Sequence, residues 1–351
     1  MIGVILANTG SPSSPDPDDI ERYLSEFLMD ERIRQLPKPV WKWLVTRKIL
    51  PKRKYSSAQR YRFIWQPDGS PLLSQSRALA KKVQDLFDAD CASDGAHAND
   101  ATVVVRSAMS YGSPSIAEVL ADFRNAGVDR VVLLPLYPQS AYSPTMAVVD
   151  SFWRAQNQIG WHPDSTVIDN YHDDEGYIAA IVRSIRNVGF DAPAGDRLLL
   201  SLHAIPLKDE AAGDTYREQI AESVELIADG LGINPDAITV AYQSVFGNDP
   251  SKWTAPLTRD VLAGWRDGDF RVVFACPGFS VDCLETLYDV PNEMVPALEG
   301  EAAKPVVDHV GTDIQAACNT SGRFVWVPSL NASDEHAELI KAVIERSLQQ
   351  S

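Results

Sequence analysis

The sequence predicts an α/β protein with two lobes, each a parallel β-sheet flanked by helices. Short apolar runs alternate along the chain with amphipathic segments of helical length, as in parallel strands joined by crossover helices. The runs fall into two groups, one before about residue 150 and one from there to about residue 330. A chain of 351 residues is long enough to give each group a core of its own.

The first lobe is predicted to span residues 1–152. Apolar residues recur at intervals of three and four between 20 and 28, which predicts a helix that opens near Asp16. The polar stretch 88–100 reads as an exposed loop, and Gly127 is expected to end a helix. The strands are predicted at 3–7, 102–106 and 130–136, and further helices at 72–87, 115–126 and 145–158.

The second lobe is predicted to span residues 153–333, and a final segment, 334–351, is expected to pack back on the first lobe as a helix. Pro291 is expected to kink or shorten the helix that contains Glu285. The stretch at about 300–323 reads as an inserted loop. The strands are predicted at 197–203, 238–242, 271–275 and 324–327, with a shorter one at 166–169, and the helices at 174–188, 216–231, 257–265 and from 284 onward.

Composition narrows the class of protein. The net charge of −16 argues against nucleic acid as a partner. No run of 18 apolar residues is present, so no membrane span is predicted, and the first residues read as a strand rather than a signal peptide. The four cysteines form no CxxC pair, and Cys276 and Cys283 are expected to stay reduced. A cytoplasmic location is therefore predicted.

One segment, residues 32–67, departs from the acidic average, and we call it the basic aromatic segment. It holds eleven Lys or Arg, no Asp or Glu, and six aromatic residues. It is expected to be helical in part, with breaks at Pro37, Pro39 and Pro51. Such a segment could hold a flat anionic ligand by stacking and ion pairing. It could also rest on an anionic membrane surface, or be a solvated helix face.

The ends of the predicted strands carry the chemistry. The run RLLLSLHAIP at 197–206 has the character of a strand buried on both faces that ends in His203, where ligands bind in open parallel sheets. A second run ends in Cys276 and leads into a helix that presents Glu285. Alone, His203 is equally compatible with a structural role. Together, an imidazole and a carboxylate could bind a divalent metal or exchange protons.

The other strand ends are rich in flat rings and poor in charge, which suits a large apolar ring better than a sugar phosphate. A dinucleotide site is disfavoured because no GxGxxG follows the first strand, and P-loop, GxSxG and HExxH motifs are absent. The sequence His172-Asp173-Asp174-Glu175 resembles a metal cluster, but acidic residues are expected at a helix start, so it is interpreted as a cap.

Several motifs in order resemble those of bacterial ferrochelatases, which insert iron(II) into porphyrins. They are NTGSP at 8–12, RYLSEFLMDERI at 22–33, GSPLLSQSR at 69–77, MSYGSPSI at 109–116, PLYPQ at 135–139, LLLSLHAIP at 198–206, YQSVFG at 242–247, CPGFSVDCLETL at 276–287 and LNASDEH at 330–336. The resemblance implies two Rossmann-like lobes of the class II chelatase type with a porphyrin cleft between them. It also implies that His203 and Glu285 are the metal-binding and catalytic pair.

The resemblance assigns porphyrin contacts to residues in or next to the basic aromatic segment and at the strand ends. The expected contacts are Arg53, Tyr61, Ser70, Asn8, Thr9, Tyr137, Gln139, Gln243, Ser244 and Trp253. The chain departs from the family pattern at Ser140, where an aromatic is usual, and at Pro291.

The resemblance thus implies a lyase that inserts iron(II) into protoporphyrin IX with release of two protons. Coproporphyrin III is the alternative substrate, and a porphyrin- or haem-binding protein without turnover is the alternative of another class. Iron is expected as a substrate, with no tightly bound cofactor. Only Cys318 lies late in the chain, so no [2Fe–2S] cluster is expected. Peripheral membrane contact through 32–67 fits some relatives, and the oligomeric state stays open.

Overall fold

The computed structural model describes residues 1–34, 36–93, 102–247, 249–303 and 322–349. The chain divides into two compact units. The first unit comprises Met1–Gln59, Asp68–Tyr171 and Asn331–Ser351, and the second comprises Arg60–Pro67 and His172–Leu330. The described part of each unit holds one four-stranded parallel sheet, as the alternation of apolar runs and helices predicts.

The sheet of the first unit has the strand order β2-β1-β3-β4. The central strand β1 is almost wholly buried, because helices cover both faces of a parallel sheet. Ile2 of β1 aligns with Val103 of β2 and with Arg130 of β3. The strands are β1 (Ile2–Gly10), β2 (Val103–Tyr111), β3 (Arg130–Pro135) and β4 (Asp164–Val167).

The helices of the first unit begin and end where local signals predict. In α5, Ser115 and Glu118 form a reciprocal capping box with each other's backbone N–H groups. The left-handed Gly160 ends α6. The helices are α1 (Pro17–Leu28), α2 (Lys38–Leu44), α3 (Leu50–Ile64, which continues into the second unit), α4 (Pro71–Ser93), α5 (Ile116–Asn125) and α6 (Pro144–Ile159).

The basic aromatic segment is helical in part, as predicted, but Pro39 and Pro51 do not break its helices. The chain is helical from Lys38 to Ile64, with a π-turn over Val45–Ile49. Pro39 lies in the first turn of α2, where the backbone N–H that proline lacks would have no partner within the helix. Just before Pro51, the Leu50 N–H donates to the carbonyl of Val45 in an i→i+5 bond, and this local shift accommodates the proline.

The sheet of the second unit has the strand order β6-β5-β7-β8. Strand β5 aligns His203 with Gln243 of β6, and Leu200 with Ala275 of β7. The described strands of both units number eight, and β4 lies two residues before its predicted position. The strands of this sheet are β5 (Arg197–His203), β6 (Ile238–Gln243), β7 (Val272–Ala275) and β8 (Phe324–Val327).

The helices of the second unit include a π-turn where Pro291 predicts a disturbance. The α-helix ends at Leu287, a π-turn spans Val290–Met294, and helical turns resume at Val295. The disturbance expected at Pro291 is therefore a π-turn within a longer helical stretch. The helices are α7 (Glu175–Asn187), α8 (Leu207–Ala211), α9 (Tyr216–Leu231), α10 (Thr258–Gly264), α11 (Leu284–Leu287) and α12 (Val295–Glu299).

The last described helix, α13 (Asp334–Gln349), belongs to the first unit and packs against α4. Lys82 on α4 pairs with Asp334 at 2.5 Å, and Lys341 pairs with Asp90 at 2.6 Å. The first unit also extends past the predicted boundary at 152, because β4 pairs with β3.

The two predicted insertions lie largely outside the described residues. Helix α4 continues through Ser93, so the start of the 88–100 stretch is helical rather than a loop. The remainder of that stretch, most of 300–323 and Cys318 are outside the described residues. Cys276 and Cys283 are buried free thiols. In the described ranges, no helix combines the length and apolarity needed to cross a bilayer.

Candidate active site

His203 is positioned by the end of β5. The residues before it, Leu198 to Leu202, are buried, while His203 itself is partly exposed. Its ring lies 6.4 Å, centroid to centroid, from that of Phe279 in the loop after β7. His203 Nδ1 lies 2.7 Å from the Ala204 carbonyl oxygen, which assigns the ring proton to Nδ1. The Nε2 nitrogen then carries a lone pair that can accept a proton or bind a metal.

Gln243 connects the strand that contains His203 to the helix that contains Glu285. Gln243 is paired with His203 in the sheet register and is 3 % exposed. Its Nε2 donates to the backbone oxygen of Glu285 at 2.9 Å, and its Oε1 accepts from Ser201 Oγ at 2.5 Å. Thr258 Oγ1 lies 2.7 Å from the same serine oxygen. The amide is thus occupied by protein partners, and it holds the backbone at Glu285.

Glu285 is the second residue of α11 and is half-buried. The helix start is fixed by Thr286, whose hydroxyl accepts from the Cys283 N–H at 3.0 Å and donates to Asp282 at 2.9 Å. Burial, followed by the neighbouring Glu285, raises the pKa of the Cys283 thiol well above its usual range. In the described part of the chain, neither a hydrogen bond nor an ion pair joins Glu285 to His203. Each side chain is therefore available to a ligand rather than bound to the other.

A buried carboxylate, Asp289, lies one turn beyond Glu285 and was missed by the sequence analysis. It is 4 % exposed, pairs with the Arg60 guanidinium and accepts from Ser244 Oγ at 3.1 Å. Ser244 has a φ of +64°, in the left-handed region that non-glycine residues rarely adopt. Glu293 follows, 3.9 Å from the same guanidinium. Glu285, Asp289 and Glu293 are spaced four residues apart, and this spacing could have predicted from the sequence that they lie on one helix face.

The environment of Asp289 gives it an unusual proton affinity. Burial raises the pKa of Asp289 to about 7, Arg60 opposes this shift, and the charges of Glu285 and Glu293 add to it. Arg60 also lies over the ring of Tyr288, 4.7 Å from its centroid. A carboxyl group that titrates near neutral pH, beside other carboxylates, can both receive and release a proton under working conditions.

In the first unit, three of the predicted contacts meet at the ends of β1 and β3. Asn8 Oδ1 accepts from the Thr9 N–H at 2.8 Å and from the Tyr137 hydroxyl at 3.3 Å, and Thr9 Oγ1 hydrogen-bonds to the same hydroxyl. Asn8 and Gln139 are nearly fully buried, whereas Tyr137 is partly exposed. Tyr137 is therefore the member of this set that can best reach a ligand.

The remaining predicted contacts differ in accessibility. Arg53 on α3 is partly exposed and lies in the first unit. Ser70 is 1 % exposed, and its carbonyl accepts from the backbone at the start of α4. Tyr61, in the second unit, is 8 % exposed and packs edge-on against Trp65. Trp253 is partly exposed and bridges to Pro206.

The fold defines a class of architecture: an α/β protein of two units, each with one parallel four-stranded sheet flanked by helices, as in Rossmann-like folds. A solved structure, SirB from Bacillus subtilis with Fe3+, superposes with a TM-score of 0.52 at 10 % sequence identity, covering 81 % of this chain and 94 % of that chain. At this identity the likeness concerns the fold alone.

The sequence comparisons identify the family. The Ferrochelatase family model matches residues 1–348. A ferrochelatase of Nitrosococcus oceani is 32 % identical over 99 % of this chain and 87 % of its own length, and one of Actinobacillus pleuropneumoniae is 34 % identical over 99 % and 98 %. One of Dechloromonas aromatica is 38 % identical over 83 % and 77 %. The chain belongs to the ferrochelatase family, and is thereby a porphyrin metal chelatase of the lyase class.

Proposed function

We propose that this chain inserts iron(II) into protoporphyrin IX to form protohaem, with His203 and Glu285 as the reacting pair. The observation that carries the assignment is the buried Gln243 amide, which is in register with His203 and holds the Glu285 backbone. This connection between the end of β5 and the start of α11 supports the pairing of the two residues at one sheet edge. Family membership supports the reaction type.

The reaction has a simple balance. Two pyrrole N–H bonds break, bonds form between the pyrrole nitrogens and iron, and two protons leave. The His203 Nε2 lone pair accepts a proton, and the bond from Nδ1–H to the Ala204 carbonyl stabilises the resulting imidazolium. Binding a bent macrocycle would direct the pyrrole lone pairs at the metal, with the strain supplied by binding energy.

The carboxylates beyond Glu285 give the protons a route away from His203. Glu285, Asp289 and Glu293 recur at intervals of four, and the pKa of Asp289 lies near 7. Arg60 and Ser244 hold the middle carboxylate in place. We assign these three carboxylates to proton transfer between the reaction centre and water. Their negative charge also favours the approach of a divalent cation. Iron is assigned as substrate, and no resident cofactor is proposed.

Turnover with two porphyrins, measured side by side, tests this function and the choice of substrate. Purified full-length protein is given iron(II) under anaerobic conditions with protoporphyrin IX or coproporphyrin III, and haem formation is followed by absorption. We expect protoporphyrin IX to be the faster substrate. Faster turnover of coproporphyrin III would transfer the assignment to that porphyrin. Binding of either porphyrin without metal insertion would support the alternative of a haem- or porphyrin-binding protein.

We further propose that the start of the basic aromatic segment contacts an anionic membrane surface. On and beside α2, the apolar side chains of Leu36, Val40 and Trp43 are exposed, Trp43 by 57 %. Val40 and Trp43 are three residues apart and so share a helix face. Exposed cations surround them, at Lys38, Lys42, Arg47 and Lys48. By contrast, Trp41 is buried, and its indole N–H donates to the Leu28 carbonyl.

Vesicle binding tests the membrane proposal. We expect the protein to sediment with phosphatidylglycerol vesicles more than with phosphatidylcholine vesicles. The bound fraction should fall as added salt screens the charges of the lysines. Trp43→Ala should weaken binding by at least about tenfold, because burying a large apolar side chain contributes roughly 1.5–3 kcal/mol. Trp153→Ala is the matched control, since Trp153 is 42 % exposed on α6. Equal loss in both variants, or equal binding to both lipids, would contradict the proposal.

A further inference from the structure

A second group of metal-ligating side chains lies in the second unit, outside the proposed reaction centre. It consists of His172, Asp173 and Glu222, whose donor atoms all lie within 4.8 Å of one another. His172 Nε2 is 3.0 Å from a Glu222 oxygen, and His172 Nδ1 is 4.0 Å from an Asp173 oxygen. The imidazole is 8 % exposed, whereas both carboxylates face solvent.

Helix capping does not account for this group. The sequence predicts that the acidic residues at 172–175 cap α7, and Asp174 does so, because its side chain accepts from the Tyr177 N–H at 3.0 Å. Asp173 makes no such bond. Glu222 comes from a different helix, α9. Within the described residues, neither Asp173 nor Glu222 pairs with a Lys or Arg, so the two negative charges meet only the imidazole.

Hydrogen bonds tie together the segments that carry this group. Ser223, next to Glu222, donates its hydroxyl to the His172 carbonyl at 2.8 Å, which ties the start of α7 to α9. The Tyr177 hydroxyl donates to the Pro277 carbonyl at 3.1 Å, which ties α7 to the loop after β7. Asp173 also lines an open groove between α7 and α9, which leaves a path from solvent. Anchored backbone segments and an open path are what a binding site for a small cation needs.

We propose that His172, Asp173 and Glu222 bind one divalent first-row transition-metal ion, with water in the remaining positions. One imidazole nitrogen and two carboxylate oxygens form a donor set that suits zinc, cobalt or iron in the divalent state better than calcium or magnesium, which prefer oxygen alone. Two carboxylates and a neutral imidazole also neutralise a divalent ion. The site is separate from His203 and Glu285, and the inference does not depend on their assignment.

Cobalt(II) binding to the full-length protein tests this site. The measurement uses a background in which the proposed reaction centre is removed, His203→Ala with Glu285→Gln, so that ions bound there do not contribute. Cobalt(II) chloride is titrated by calorimetry, and visible absorption reports nitrogen ligation. We expect one equivalent to bind. Adding Asp173→Asn and Glu222→Gln should weaken binding by at least about tenfold, since loss of outer partners of metal ligands alone costs about 10- to 100-fold.

These substitutions are chosen to leave the fold intact. Asp173 and Glu222 are exposed, and their amide forms keep the shape of the carboxylates, so loss of binding will not reflect unfolding. Glu218→Gln with Glu225→Gln on the same helix removes the same charge at exposed positions and should leave cobalt binding unchanged. Equal cobalt affinity with and without the Asp173 and Glu222 substitutions would overturn the proposal, as would equal weakening by the control pair.

Discussion

Replacing His203 by Asn is expected to slow iron(II) insertion by about 100-fold or more while the protein still binds porphyrin. General base catalysis contributes about 10²- to 10⁴-fold, and His203 Nε2 supplies the lone pair that accepts the pyrrole protons in the proposed mechanism. The amide nitrogen of Asn can take the place of Nδ1 and keep the hydrogen bond to the Ala204 carbonyl. The variant therefore removes the proton acceptor with little change to the end of β5.

The measurement is single-turnover haem formation, with porphyrin affinity determined separately by fluorescence quenching. His203→Ala should show the same loss. His162→Asn is the matched control, because His162 is exposed and lies in the first unit. Near-normal turnover in His203→Asn would remove His203 from the reaction centre. Loss of porphyrin affinity in proportion to the loss of rate would assign it to substrate binding instead.

The strands were predictable from the sequence because a parallel strand covered on both faces must be continuously apolar. The run at 197–203 was therefore located to the residue, and its polar end marked the sheet edge. The π-turns at Val45–Ile49 and Val290–Met294 were not predicted as such. Each lies at a proline that local rules treat as a helix breaker, and whether a π-turn absorbs it depends on packing.

The site was harder to predict where it depends on pairing between distant segments. Arg60 and Asp289 are 229 positions apart, so their ion pair and the raised pKa of Asp289 arise only from tertiary structure. Gln243 illustrates a second limit. The sequence cannot show whether a polar residue at a strand end faces a ligand or the interior. For Gln243, the 3 % exposure in the structure distinguishes the two cases.

Gln243→Met is expected to lower both the stability of the protein and the turnover number. Met has nearly the same volume, but it leaves the Glu285 carbonyl without its amide partner, while Ser201 Oγ keeps only Thr258 Oγ1. Each unsatisfied buried polar group costs about 1–3 kcal/mol. The freed start of α11 can then shift Glu285, and misplacement of a reacting group by about 1 Å costs up to about 100-fold in rate. We expect kcat to fall between about tenfold and 100-fold, with little change in KM for porphyrin.

Ser201→Ala separates positioning from stability. It removes the hydrogen bond on the far side of the amide and leaves the bond from Gln243 to Glu285 in place. Both variants should lower the unfolding free energy, measured by denaturant titration, but only Gln243→Met should lower kcat strongly. If the two variants lose turnover equally, or if Gln243→Met keeps normal kcat, the amide acts only in the core. A fall confined to Gln243→Met would mean that the buried amide sets the position at which Glu285 meets the substrate.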